Sequence, residues 1–307
     1  MGETDVAETR RRIAAHLVGR ERELELALAA VAAGRDLVLE GPPGTSKTTM
    51  LKAITEEWGI PLLFVEGNAD LTPAKLVGHH NPARVLREDY SADNFVAGPL
   101  VEAMRQGGFL YIEEFNRAPE DTLNTLLTAM ADRAIEVPRV GLIEAQPTFR
   151  VIASMNPFDN VGTTRLSTSV ADRLNRIVVG YQDAESERGI VALRTGLLGP
   201  LAERIIPDAV ALTRATRTHP DVRQGSSVRG AIDCALVAHE LFALRGFDES
   251  SPAPTDDAYR TTLFDAMLVS LSGRIHLDEA AETTPERVLR EIWEDHFILE
   301  PARAEPG

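Results

Sequence analysis

The chain has 307 residues, 44% hydrophobic and 26% charged, enough apolar content to bury a core in one large domain or two ordinary ones. Its longest apolar runs, such as LALAAVAA at 26–33, fall short of the about 20 residues a membrane-spanning helix needs, and residues 1–12 contain no apolar signal stretch, so a cytoplasmic protein is expected. A net charge of −15 argues against an obligate nucleic-acid binder, whose phosphate contacts need clustered lysine or arginine.

In chain order, residues 20–34 (RERELELALAAVAAG) predict a helix closed by Gly34, and DLVLE at 36–40 a short buried strand. GPPGTSKTT follows at 41–49 and leads into a helix over 48–59. Strands are expected at 61–67 and 107–114, separated by a segment too long for a plain loop in a compact domain. In 119–133, Leu123, Leu126, Leu127 and Met130 share one helical face, with Pro119 at the first helical position. Residues 134–149 read as a hairpin, and 149–156 and 176–181 as the fourth and fifth strands. After about residue 185 the strand signals stop and helical patterns take over, interrupted by a polar, Pro-rich loop at 247–257. Strands alternating with helices define an α/β fold with a largely parallel sheet.

Cys234 is the only cysteine, which excludes an intramolecular disulfide; its apolar setting, AIDCALVAH, reads as core. Residues 248–307 carry 14 Asp/Glu against 5 Arg, a solvated acidic face. The only lysines are Lys47, Lys52 and Lys75, which makes the lysine in the loop stand out.

GPPGTSKTT departs from the phosphate-loop pattern only at Ser46, where glycine is usual. Such a loop turns successive backbone N–H groups inward around an anion, and the following helix adds the positive end of its dipole. Gly41 and Gly44 are expected to supply positive φ, Lys47 to neutralise phosphate charge, and Thr48 to ligate Mg²⁺. FLYIEEF at 109–115 ends a hydrophobic strand in two acids, at the sheet edge where open α/β folds bind ligands. Glu113 is assigned to Mg²⁺ and Glu114 to the attacking water. His79 and His80 lack the spaced Cys/His partners of a metal site.

With these stretches the chain resembles the MoxR family of AAA+ ATPases. VGRE (18–21), GPPGTSKTT, GPLVEAMRQGGFLYIEEFNRAPEDTLNTLLTAMADR (98–133), FRVIASMNP (149–157), SVADRLNRI (169–177) and SSVRGA (226–231) carry the resemblance over nearly the whole length. It implies an αβα ATPase domain over 1–184 with a five-stranded parallel sheet, a helix-2 insertion at about 68–97 and a hairpin at about 134–149. It further implies a C-terminal α-helical lid over 185–307 and a homo-oligomeric, usually hexameric ring with ATP between subunits. Nucleotide contacts would come from Val18, Gly19, Gly41, Pro42, Pro43, Gly44, Thr45, Ser46, Lys47, Thr48 and Thr49. Asn156 would be sensor 1, Arg173 the arginine finger with Arg176 as its rival, and Arg229 sensor 2. Asn116 and Arg117 would face the subunit boundary.

Where the family has Asp, this chain has Glu113, whose extra methylene moves the carboxylate by about 1.5 Å and predicts slow hydrolysis. The leading expectation is an ATP-driven chaperone or remodelling motor acting on a protein client with a von Willebrand factor A partner. An ATP-binding scaffold with little turnover and, behind it, a DNA motor are the alternatives. A small-molecule kinase is disfavoured because it has no use for sensor residues.

Overall fold

In the computed structural model, which describes residues 6–14, 17–88, 91–157, 168–247 and 254–299, the chain divides after Gly180 into two units. The first opens with α1 (Val6–Ala14), α2 (Glu21–Ala32), β1 (Leu37–Glu40), α3 (Lys47–Trp58) and β2 (Leu62–Glu66). It continues through α4 (Pro73–Val77), β3 (Gly78–His80), α5 (Pro82–Glu88), β4 (Phe95–Ala97), α6 (Pro99–Gln106) and β5 (Phe109–Glu113). Then follow α7 (Glu120–Asp132), β6 (Ala134–Val137), β7 (Gly141–Glu144), β8 (Arg150–Met155), α8 (Thr168–Arg173) and β9 (Asn175–Val178).

Five of these strands form one parallel sheet in the order β2-β5-β8-β1-β9. Side chains alternate across a strand, so a sheet covered on both faces needs apolar residues at every position. Leu37, Leu39, Phe109, Tyr111 and Ile152 pack on one face with Leu24, Leu28, Met50, Leu51 and Ile54 of α2 and α3. Val38, Leu110, Ile112, Val151 and Ala153 pack on the other with Leu100, Val101, Leu123 and Leu126 of α6 and α7. This is the αβα layering of an α/β fold.

The segment between β2 and β5 has structure of its own: α4 leads into β3, and α5 lies in the connection between the antiparallel strands β3 and β4. Residues 134–149 hold the antiparallel hairpin β6–β7. Pro119 stands one position outside α7, with ψ 149 placing it at the N-cap, and its carbonyl accepts from Thr122 and Leu123 N–H. The periodicity marked the helix, but the extended ψ of the cap residue pushed the first helical position to Glu120.

The second unit contains α9 (Ala184–Thr195), α10 (Pro200–Ala215), β10 (Val222–Gln224), α11 (Val228–Leu244), α12 (Asp256–Leu271), β11 (His276–Leu277) and α13 (Pro285–Glu294). The antiparallel pair β10–β11 corrects the expectation of helices alone. Strands of three and two residues, paired across some fifty positions of chain, leave no period in the sequence. Part of the Pro-rich loop, 248–253, lies outside the described residues. No described helix is long and apolar enough to cross a membrane. Cys234 is fully buried in this core, and burial pushes its thiol up to about 12.

Glu187, 1% exposed, accepts from Arg214 at 3.2 Å and Arg217 at 2.7 Å, tying α9 to α10. Arg217 also donates to the Ser226 carbonyl, just ahead of α11, and lies 3.9 Å from the Tyr181 ring centre. Removing a buried carboxylate leaves its cations without a counter-charge. Glu187→Ala is therefore expected to cost about 3 kcal/mol. Urea unfolding followed in the second unit checks it, and an unchanged midpoint would show that the pair carries no net stability.

Candidate functional site

β1 delivers the chain into the loop at Gly41, whose N–H donates to the Met155 carbonyl at 3.0 Å. Gly41 is not in the positive-φ region expected of it. Its requirement is closeness: a Cβ there would sit 2.0 Å from the Val179 carbonyl oxygen. Positive φ belongs to Gly44 (φ 74) and to Ser46 (φ 64). A left-handed backbone costs a non-glycine residue about 1–2 kcal/mol, so the position usually held by glycine is strained in this chain.

Thr45 closes the turn by donating from Oγ1 to the Pro42 carbonyl at 2.8 Å. The Lys47 ammonium donates to the Gly41 and Pro42 carbonyls at 2.8 Å each, which holds it against the loop. Pro42 and Pro43 bring no N–H, so the donors come from Gly44 onward, where α3 presents its unspent first-turn N–H groups. Thr49, in the first turn, is exposed.

β5 brings the two acids to the same C-terminal edge of the sheet. Thr48 Oγ1 donates to Glu113 Oε1 at 3.2 Å, so the hydroxyl and the carboxylate assigned to Mg²⁺ are neighbours. An all-oxygen pair of this kind fits a hard divalent cation. Glu114 is itself left-handed, at φ 52, and its carboxylate pairs with Arg117 at 3.0 Å. Gly67 backs the turn: its N–H donates to the Glu113 carbonyl at 2.7 Å, and a Cβ there would lie 2.4 Å from the Glu114 carbonyl oxygen. Asn156 follows Met155 directly, half-buried beside the start of the loop.

Three side chains at this edge went unnoticed in the sequence. The Tyr111 hydroxyl donates to Ser154 Oγ at 3.0 Å and meets Thr48 Oγ1 at 3.1 Å. Tyr111 is fully buried, and burial raises its pKa, which keeps the hydroxyl protonated. A tyrosine two residues before the first acid is the only signal of it in the sequence. Arg20, 2% exposed, donates to the Gly180 carbonyl at 2.7 Å and pairs with Glu23 at 3.0 Å. It thereby fixes the Val18–Gly19 turn (Gly19 φ 64) to the end of the sheet on which Gly41 also packs.

Arg173 ends α8, exposed, with one bond to the Ser169 carbonyl of its own helix. Arg176, its rival, is taken: it grips the Glu40 carboxylate through Nε and, at 2.6 Å, Nη2. Arg229 is exposed in the first turn of α11, in the second unit. Asn116 is buried within the chain, so it does not form the outward surface expected of it, and Arg117 is held by Glu114. His80 packs edge-on against Phe95 and His79 is exposed; neither belongs to a group of ligand atoms among the described residues. His219, Asp221 and Glu291 do cluster. There the Asp221 N–H donates to His219 Nδ1 at 3.3 Å, and His219 Nε2 lies 3.5 Å from a Glu291 carboxylate oxygen.

A strand, a Gly-rich loop and a helix on a five-stranded parallel sheet, with two acids and a polar residue at the next strand ends, define a phosphate-loop α/β protein. Residues 36–174 match the AAA domain of the dynein-related subfamily. The gas vesicle ATPase GvpN of Ancylobacter aquaticus is 31% identical over 240 residues, covering 72% of this chain and 64% of that protein. The uncharacterised protein YojN of Bacillus subtilis is 30% identical over 217 residues, 69% of this chain and 70% of its own. The chain thus spans just under two thirds of the gas vesicle protein. Among solved structures, the RuvB Holliday junction branch migration motor of Thermotoga maritima shares the fold, with a TM-score of 0.51 at 18% identity over 82% of this chain and 70% of that one. The chain belongs to the dynein-related AAA family, in its MoxR-type group.

Three substitutions at two positions read the local energetics directly. Ser46→Gly is expected to raise stability by about 1 kcal/mol by relieving the left-handed backbone, and Ser46→Val to lower it. Tyr111→Phe is expected to cost about 1 kcal/mol through its lost hydroxyl bonds. Thermal melts of the three variants check both signs.

Proposed function

We propose that the chain is a MoxR-type AAA+ ATPase that binds ATP with Mg²⁺ on the 41–49 loop and hydrolyses it between neighbouring copies. The observation that carries this reading is the convergence of Lys47, Thr48, Glu113, Glu114 and Asn156 on one edge of one sheet. Relatives named as ATPases support it. In this reading the loop N–H groups and Lys47 hold the β- and γ-phosphates, and Thr48 and Glu113 hold the metal, which neutralises charge on the transferred phosphoryl group. Glu114 orients and deprotonates the attacking water, with Asn156 beside it.

Arg173, exposed and without a carboxylate partner among the described residues, is the finger for a neighbouring copy's nucleotide. Arg176 is spent on Glu40, which favours Arg173 of the two. Arg229 serves as sensor 2. The assembly is a ring of like subunits, hexameric by family habit, working with a von Willebrand factor A partner to remodel a protein client.

The second reading, an ATP-dependent scaffold with little turnover, is favoured by one contact. Arg117 occupies the Glu114 carboxylate at 3.0 Å and competes with an attacking water for its oxygens.

Steady-state Mg²⁺-dependent hydrolysis per subunit, across protein concentrations, decides between them. The motor reading expects specific activity to rise with concentration and to fall at least about 100-fold in Glu114→Gln and Arg173→Ala. A wild type no faster than Glu114→Gln, with ATP still bound, establishes the scaffold. Arg117→Ala is expected to leave the motor intact and to speed the scaffold.

A further inference from the structure

A hydroxyl group has one proton to give and two lone pairs with which to accept. The Thr48 hydroxyl has two acceptors within reach, Glu113 Oε1 at 3.2 Å and the Tyr111 hydroxyl oxygen at 3.1 Å. Its proton can be given in full to only one of them. That choice decides what remains of Thr48 and Glu113 for a third partner.

The sheet builds the choice. Tyr111 and Glu113 stand two apart on β5 and so share a face; Tyr111 lies opposite Ile152 of β8, which puts Ser154 on that face as well. α3 packs over this face and carries Thr48 in its first turn. The Tyr111 ring is fully buried and meets the Phe64 ring edge-on at 5.7 Å, so its hydroxyl is held in place. That hydroxyl gives its own proton to Ser154 Oγ at 3.0 Å. With its proton committed, Tyr111 meets Thr48 as an acceptor. The other described tyrosines end differently: Tyr259 bonds to the Asp208 carboxylate and Tyr181 to the Gly225 carbonyl, and neither joins two hydroxyls.

A Thr48 proton given to Glu113 engages a carboxylate oxygen that a hard cation would use. Given to Tyr111 instead, it leaves Glu113 Oε1 and the Thr48 lone pairs unspent. We infer that Tyr111 is a positioning residue for the metal of this site: locked as a donor to Ser154, it takes the Thr48 proton and so frees Thr48 and Glu113 to serve one cation together. The inference rests on the Mg²⁺–nucleotide reading proposed above and adds a determinant of metal affinity to it. Ser154 stands two residues before Asn156, so the strand that ends in Asn156 also sets the metal side of the site. No change of charge is involved, because Tyr111 acts through hydrogen bonds alone.

The test measures equilibrium binding of a non-hydrolysable ATP analogue to the full chain by calorimetry, once in EDTA and once in saturating Mg²⁺. Mg²⁺ is expected to tighten binding in the wild type. Tyr111→Phe leaves the Thr48 proton no acceptor but Glu113. Its affinity in EDTA is expected to match the wild type, while the tightening by Mg²⁺ shrinks about 5-fold, as for one neutral hydrogen bond. Ser154→Ala keeps the tyrosine ring and its packing but removes the acceptor of its proton, which turns Tyr111 into a donor toward Thr48. The same loss, confined to Mg²⁺, is expected there. An equal Mg²⁺ effect in all three proteins overturns the inference and leaves the ATPase reading standing. A weakening as large in EDTA as in Mg²⁺ also overturns it, since that marks a merely structural role. A wild type whose binding Mg²⁺ does not tighten overturns both.

Discussion

The site depends on how closely Gly41 approaches the Val179 carbonyl. A methyl group there would overlap the oxygen at 2.0 Å, so the loop can leave β1 in its observed direction only from a residue with no side chain. The same residue gives its N–H to Met155. One glycine therefore seats the loop between the ends of β8 and β9, and Asn156, Lys47 and the acids of β5 take their places from it. Gly67 does the equivalent on the far side, pressed against the carbonyls of Glu113 and Glu114. The phosphate loop and the acid turn are thus each held in place by a close backbone contact at a glycine.

Strain is placed within that frame. Ser46 and Glu114, one in the loop and one in the acid turn, both carry positive φ without being glycine. Such conformations persist where the surroundings over-determine them, and they cluster at functional positions. Beneath both runs the buried Tyr111 hydroxyl, linking Thr48 to Ser154. Two strands, β5 and β8, and the helix after the loop are joined there by the oxygen atoms of Tyr111, Glu113, Ser154 and Thr48. The extra methylene of Glu113 is taken up in this cluster, where its carboxylate reaches the Thr48 hydroxyl.

Much of this was legible because its causes are local. A doubly covered strand must be apolar at every position, so DLVLE, FLYIEE and FRVIASM announced themselves, and the loop and paired acids are contiguous motifs. What escaped was set by distance along the chain. Arg20 bonds to a carbonyl 160 residues away, and Tyr111 to a serine 43 away; neither pairing leaves a local period. The ribbon β10–β11 is too short to signal itself. Gly41 was read for freedom of φ when the fold needed absence of bulk, because a close approach is visible only once the opposing strand is in place. The pairing of Arg176 with Glu40 likewise needed the register of β9 on β1, which sets Arg176 opposite Val38 and within reach of Glu40.

The Arg20 clamp has a mechanical side. Gly180, whose carbonyl it holds, is the last residue of the first unit, and the chain runs on without interruption into the second. Through Arg20 this carbonyl is tied to Glu23 of α2 and to the Val18–Gly19 turn. The buried guanidinium thus acts as a bracket that holds the last carbonyl of the first unit to the turn before α2.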